Sequence, residues 1–197
     1  MNTNKKYSRE ELIKISKEPS DRLLLDLGCG LRKKEGHIGI DTLHDKNVDI
    51  CYDVSQGIPC EDNSVDGIYS NFLFEHIGNT IFLFQEIYRV CRKDAIVEFR
   101  VPYYQSVTQF KDPTHKAIIP PEMLRYFSND RWYGSDYRIN TNFKLVKVSY
   151  CYLLPFSIIA SPWMCLFWPV TYPILLFCRR FFWNVVHSIT IKLLVLK

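Results

Sequence analysis

At 197 residues with a formal net charge of +4, the chain has the length of one domain and enough material for a sheet covered on both faces. Its basic residues are scattered and lack the aromatic interleaving that tracks a single strand of nucleic acid, so no nucleic-acid partner is expected. The seven cysteines form no C-x-x-C pair and sit mostly in apolar contexts, which argues against a zinc centre or a disulfide framework. No metal site is read from the sequence, and reduced thiols fit a cytoplasmic setting.

Met1 to Lys6 is polar and basic without an apolar stretch, so no signal peptide is expected. Ser8-Arg9-Glu10-Glu11 matches a capping box, and Leu12, Ile13 and Ile15 beyond it predict a short helix within residues 1–19. Leu23 to Leu27 is an apolar run that stops at Gly28-Cys29-Gly30. That pattern describes a buried parallel strand delivering the backbone onto a ligand, because glycine lets main-chain N–H groups approach closely. A second strand ends Ile38-Gly39-Ile40-Asp41, and its carboxylate offers an acceptor pair for a ribose diol. The two strands together describe a nucleoside cofactor site. Lys33 stands where a dinucleotide site has its third glycine, and Leu31 to Gly36 is too short for a crossover helix, which disfavours NAD.

Val48 to Asp53 reads as a third strand closed by a carboxylate, Gly57 to Ser64 as turn chemistry, and Val65 to Ser70 as a fourth strand. Ile81, Phe82, Phe84, Ile87, Tyr88 and Cys91 recur at helical spacing, placing a helix over Asn79 to Cys91, and Ala95 to Val101 is a fifth strand. Phe143 to Tyr152 alternates as a sixth strand and Ser188 to Leu196 as a seventh. Between these two, Cys151 to Cys178 holds no charged residue and exceeds the length that spans a bilayer. Pro155, Pro162, Pro169 and Pro173 break a straight span, whereas Trp163, Trp168, Tyr172 and Trp183 with Arg179-Arg180 resemble interfacial anchors. A broken, in-plane or re-entrant segment on the cytoplasmic face of a membrane is the physical picture, with a helical lid over the domain as its alternative. The expected organisation is α/β and single-domain: an N-terminal helix (1–19), a cofactor-binding core (20–152), an apolar lid or membrane-docking insertion (153–187) and a last strand (188–197).

The ordered set LLLDLGCG, HIGID, VDICYDV, IPCEDNSVDGIYSNFLFEHI and QEIYRVCRKDAIVEFRVP resembles the class I S-adenosylmethionine-dependent methyltransferases of the type 11 group, over roughly residues 20–130. The resemblance implies a Rossmann-like, mainly parallel seven-stranded sheet with an antiparallel last strand inserted between strands five and six. It also implies S-adenosyl-L-methionine as cofactor and methyl transfer as activity. The chain departs from the family in its truncated first crossover, in the short path from Asp41 to Val48, and in Arg92-Lys93-Asp94-Ala95 where the family has Pro-Gly-Gly, so the first helices are expected to be shortened. Carried over by residue, Asp26, Gly28 and Gly30 hold the methionine end, with Asp26 on the ammonium side. Asp41 takes the ribose hydroxyls, Asp53 and Val54 border the adenine, and Asn71 with Phe72 closes the sulfonium end. A cationic sulfonium and ammonium suit a rim made by Asp26, Asp41 and Asp53.

A base is needed only if the methyl acceptor is a hydroxyl. The candidates are His76, after the fourth strand, and His115, in the loop after the fifth, with Asp112 to orient its imidazole and raise its basicity. Against these stand a pocket-shaping role for Glu75-His76 and a turn at Asp112-Pro113 in which His115 caps Ile118 to Phe127. The expected reaction is O-methylation of a small-molecule or glycan acceptor at a membrane, with Asp112, His115, Arg131, Asp136 and Arg138 as a polar recognition set. A lipid or quinone-like acceptor within the apolar lid is a second reading, and a non-catalytic membrane-docked module a third. The fold alone does not choose among them.

Overall fold

The computed structural model describes residues 6–17, 22–129, 139–153, 173–174, 176–178 and 184–197. In chain order these form α1 (Arg9–Lys17), β1 (Leu24–Leu27), β2 (Ile38–Asp41), β3 (Ile50–Cys51), β4 (Val65–Asn71), α2 (Thr80–Val90), β5 (Cys91–Pro102), α3 (Val107–Lys111), β6 (Phe143–Tyr152) and β7 (Val186–Val195). Single 3-10 segments at Val54–Gln56, Phe74–His76 and Pro121–Phe127 complete them. The strands make one seven-stranded sheet in the order β3-β2-β1-β4-β5-β7-β6. Strands β1 to β5 pair in parallel, and β7 runs antiparallel to both β5 and β6. The last strand therefore enters between the fifth and sixth, as the resemblance implied.

Local chemistry explains the elements. The capping box at α1 closes in both directions, Ser8 N–H donating to Glu11 Oε2 at 2.7 Å and Glu11 N–H to Ser8 Oγ at 3.1 Å. Asn79 caps α2 by accepting from Phe82 N–H, and the helix buries Leu83, Phe84, Ile87 and Val90 against the sheet. Phe74 stacks on Phe99 with ring centroids 4.3 Å apart, and Phe84 packs on Phe127 at 4.2 Å, giving the core beneath the strand ends an aromatic centre.

No helix joins β1 to β2, and three polar ties hold the bare crossover instead. Lys33 Nζ reaches both oxygens of the buried Asp49, at 2.8 and 2.7 Å, and Gly39 N–H donates to the same carboxylate. Lys34 N–H donates to Asp26, and Asn47 Nδ2 to the Leu31 carbonyl. A Cβ on Gly39 would lie 2.8 Å from the Lys33 stem, so glycine is what lets that stem cross β2. Lys33, read above only as a missing glycine, is the residue that replaces the helix.

Several boundaries move. The third strand is confined to Ile50–Cys51, because Asp53 turns away to cap the following 3-10 segment through Ser55 N–H. β5 begins at Cys91, directly after α2, because residues 92–95 bulge out of register between Val65 paired with Cys91 and Gly67 paired with Ile96. Asp94, at φ +64°, makes the turn for which the family uses glycine. Ile118 to Phe127 is helical only as the 3-10 segment from Pro121, after Pro120 in extended backbone.

The strands flanking the apolar insertion adjoin. Leu153 N–H donates to the Val185 carbonyl at 3.0 Å, closing a neck. The neck opens beside the end of β5, where Pro102 pairs with Ser188 and Asn184 N–H donates to the Gln105 carbonyl. Residues 154–172, 175 and 179–183 lie outside the described residues, as do 130–138 with Arg131, Asp136 and Arg138. Among the described residues no helix is long and apolar enough to cross a membrane.

Candidate functional site

The carboxyl ends of β1, β2 and β4 meet at Gly28-Cys29-Gly30. Both glycines have positive φ, +67° and +50°, and a Cβ on Gly28 would fall 2.8 Å from Leu73 Cβ. Only glycine fits that position. Gly30 N–H donates to Asp41 Oδ2 and Leu43 N–H to Oδ1, which fixes the Asp41 carboxylate while leaving each oxygen a further lone pair. Asp26 is 1 % exposed; its Oδ2 accepts from Lys34 N–H, and its Oδ1 is buried with no partner among the described residues. Burial pushes the Asp26 carboxyl up to about 6. An orphaned carboxylate oxygen beneath a glycine turn fits the ammonium of S-adenosylmethionine, which would pair its charge.

Two cavities adjoin at Gly28. One, of about 510 Å³, is lined by Gly28, Asp41, Asp53 and Val54 together with Tyr52 and His76. The other, of about 320 Å³, is lined by Asp26, Gly28, Gly30, Tyr69, Asn71 and Phe72. All eight residues expected to hold the cofactor thus lie along one cleft. Hydrogen bonds from Ser55 hold the Asp53 carboxyl below its usual range, so it remains an anion on the wall. Phe72 has φ +58°, a conformation costly for an aromatic residue, and is braced by its N–H to the Arg100 carbonyl and by the Arg100 guanidinium 5.1 Å from its ring centroid. A further cavity of about 510 Å³, lined by Pro121, Phe143 and Leu193, lies at the amino edge of the parallel strands, away from where such sheets bind ligands.

His76, on the wall of the larger cavity, meets His115 behind it with ring centroids 4.8 Å apart. The contact is made because Lys116 and Ala117 N–H both donate to the Glu75 carbonyl, drawing the loop after α3 against the 3-10 turn. Asp112 does not grip His115 as expected: its Oδ2 is 3.8 Å from His115 Nε2. Its hydrogen bond goes instead from Thr114 Oγ1 to Asp112 Oδ1 at 2.6 Å, and Thr114 Oγ1 in turn lies 3.0 Å from His76 Nδ1. His115 Nδ1 lies 2.8 Å from the Gln109 carbonyl. Glu75, 1 % exposed, has both carboxylate oxygens buried without a partner among the described residues, and burial pushes its carboxyl up to about 7. Sequence reasoning passed over Glu75 as a chemical group, and missed Thr114 and Gln109, because only the folded loop brings them to the histidines.

Residues 31–99 match the family model of the methyltransferase domain. With the sheet order and the cleft, the match over these residues supports a class I S-adenosylmethionine-dependent methyltransferase. The fold is shared at low identity with a SAM-dependent methyltransferase from Archaeoglobus fulgidus, 18% identical over 89% of this chain and 86% of that one, with a TM-score of 0.56. The YcgJ protein of Bacillus subtilis is 14% identical over 96% of this chain and 98% of its own, with a TM-score of 0.55. Phosphoethanolamine N-methyltransferase 2 of Haemonchus contortus, solved with S-adenosyl-L-methionine, is 15% identical over 94% of this chain and 51% of that one, at 0.50. No curated protein matches the chain.

Proposed function

We propose that the chain methylates a hydroxyl oxygen of a small-molecule or glycan acceptor. The observation that carries this is the imidazole pair: His76 lines the cleft, and His115 lies against it with ring centroids 4.8 Å apart. When bound, S-adenosylmethionine supplies a methyl group activated on positively charged sulfur. Asp26 Oδ1 receives the ammonium, the remaining lone pairs of Asp41 take the ribose hydroxyls, Asp53 and Val54 border the adenine, and Asn71 with Phe72 closes the sulfonium end. The acceptor hydroxyl must lose its proton as its oxygen attacks, and His76 and His115 are the groups that meet it there. With Nδ1–H donated to Thr114 Oγ1 and to the Gln109 carbonyl respectively, each ring keeps its lone pair at Nε2. Asp112 is a positioning residue, acting on His76 through Thr114.

The acceptor reaches this site at a membrane surface. The neck of the uncharged segment opens on the same sheet edge, with exposed Val107 tied to Asn184 beside it, and Phe110 and Ile118 are further exposed apolar residues. That surface equally supports a lipid or quinone-like acceptor, and the assay separates the two. Membrane and soluble extracts are incubated with methyl-labelled cofactor, and the product is identified by mass. An O-methylated sugar or small molecule is expected, and His115→Ala is expected to lower turnover about 100-fold with cofactor affinity unchanged. An N- or C-methylated product, or near-normal turnover in His115→Ala, would overturn the reading.

A further inference from the structure

We propose that Glu75, His76 and His115 form a binding site for one first-row divalent cation of the zinc type, at the acceptor end of the cleft. One ligand atom from each residue lies within 4.8 Å of the other two. Donors bound to zinc at about 2.0–2.2 Å stand roughly 3.4 Å apart in a tetrahedron, so modest side-chain movement closes the set around an ion.

Three features support an ion at this place. The first is the Glu75 carboxylate, 1 % exposed and with neither oxygen hydrogen-bonded among the described residues, a costly arrangement that a cation relieves directly. The second is the pair of tautomers. His115 donates Nδ1–H to the Gln109 carbonyl, and His76 donates Nδ1–H to Thr114 Oγ1, whose own proton goes to Asp112 Oδ1. Both rings therefore carry the outer-shell hydrogen bond that orients a metal-bound histidine and leaves Nε2 as the donor atom. The third is the donor set itself. Two imidazoles and one carboxylate suit zinc, cobalt or manganese, whereas an all-oxygen set would suit magnesium or calcium. Three protein donors leave a position open, as catalytic rather than structural zinc sites do.

Placed there, the cation has a use that rests on the oxygen-methylation reading. It takes the acceptor oxygen at the open position and lowers its pKa, and the hydroxyl proton passes to solvent water. The oxygen then forms its bond to the methyl carbon as the carbon–sulfur bond breaks, its electron pair staying on sulfur. With the ion bound, the Nε2 lone pairs of His76 and His115 are spent on the metal, so the two rings act as ligands in place of the bases of the metal-free site, and the proton leaves to water.

The test is cobalt(II) titration of the metal-stripped full chain, followed by its visible absorption band, with zinc as competitor and S-adenosylmethionine binding measured separately by calorimetry. One cobalt per chain is expected, displaced by one zinc, with Glu75→Gln and His115→Ala each weakening binding by about 100-fold and leaving cofactor affinity unchanged. Should a variant fail to fold, the wild-type chain decides: zinc must shift the Nε2 nitrogen resonances of His76 and His115 at one equivalent. No stoichiometric binding, equal binding in the variants, or unmoved histidine resonances would overturn the site. Cofactor binding without metal binding would sink this inference alone. Metal binding without cofactor binding would sink the methyl-transfer reading and leave the site.

Discussion

The proposed donor and acceptor sides of the cleft meet at His76 and are held by different forces. On the donor side the backbone does most of the holding: two positive-φ glycines, a strand-end carboxylate fixed by main-chain N–H groups, and a crossover pinned by a buried ion pair. On the proposed acceptor side each contact needs a particular side chain: His76 with Thr114, His115 with the Gln109 carbonyl, and Asn184 with Val107 N–H. A site made of backbone turns is set by local sequence and tolerates little change. One made of side-chain ties can be altered residue by residue while the sheet stands.

The largest expected effect tests the donor side. Lys33→Met leaves Asp49 buried without its cation, and chemical denaturation is expected to show a loss of about 3–5 kcal/mol. A loss below about 1 kcal/mol would mean that the crossover does not depend on the pair. Next comes Gly28→Ala, which demands positive φ of alanine and drives its methyl into Leu73; calorimetry is expected to show cofactor affinity reduced by about 100-fold or more. A third measurement uses pH. Burial raises the folded-state carboxyl of Asp26 to about 6, and the ammonium requires it ionised, so affinity should rise about tenfold from pH 5 to pH 7 and lose that slope in Asp26→Asn.

The same shift has the opposite sense for the cofactor-free fold. The folded chain holds protons on Asp26 and Glu75 that the unfolded chain has released, so stability is fullest below about pH 4 for these two groups. It falls as pH rises to about 7, by at most ~3 kcal/mol each. The smallest effect belongs to the acceptor side. Asn184→Ala removes the acceptor of Val107 N–H at a φ +64° position and is expected to cost about 1 kcal/mol, with cofactor affinity unchanged. A large loss of cofactor affinity would show that the two halves are coupled.

What the sequence disclosed follows the same division. Asp26, Gly28, Gly30 and Asp41 were legible because a buried strand ending in a glycine turn writes its signature within a few adjacent residues. Phe143 to Tyr152 was legible to the residue, since strand alternation is a local pattern. Lys33 was not, because its role lies in Asp49, and pairing across a fold has no periodicity. His76 and His115 were each singled out as alternatives, yet their meeting depends on Lys116 and Ala117 hydrogen-bonding to the Glu75 carbonyl. Glu75 was hidden for the same reason, since a buried carboxylate looks like any other acid until its surroundings are known. The bulge at residues 92–95 was noticed as a missing Pro-Gly-Gly, but the left-handed Asp94 that replaces it is not a residue preference a sequence advertises.

The hydrogen bond from Leu153 to Val185 has a consequence for how such a chain can change over generations. Because the ends of the segment between them are tied to each other at β6 and β7, a change in its length need not shift the register of the two strands. Each doubling of its length costs only about 0.6 kcal/mol in closure entropy. A change in its length is thereby kept away from the glycine turn at Gly28 and Gly30. Length can vary at this one address while the glycine turn stays fixed.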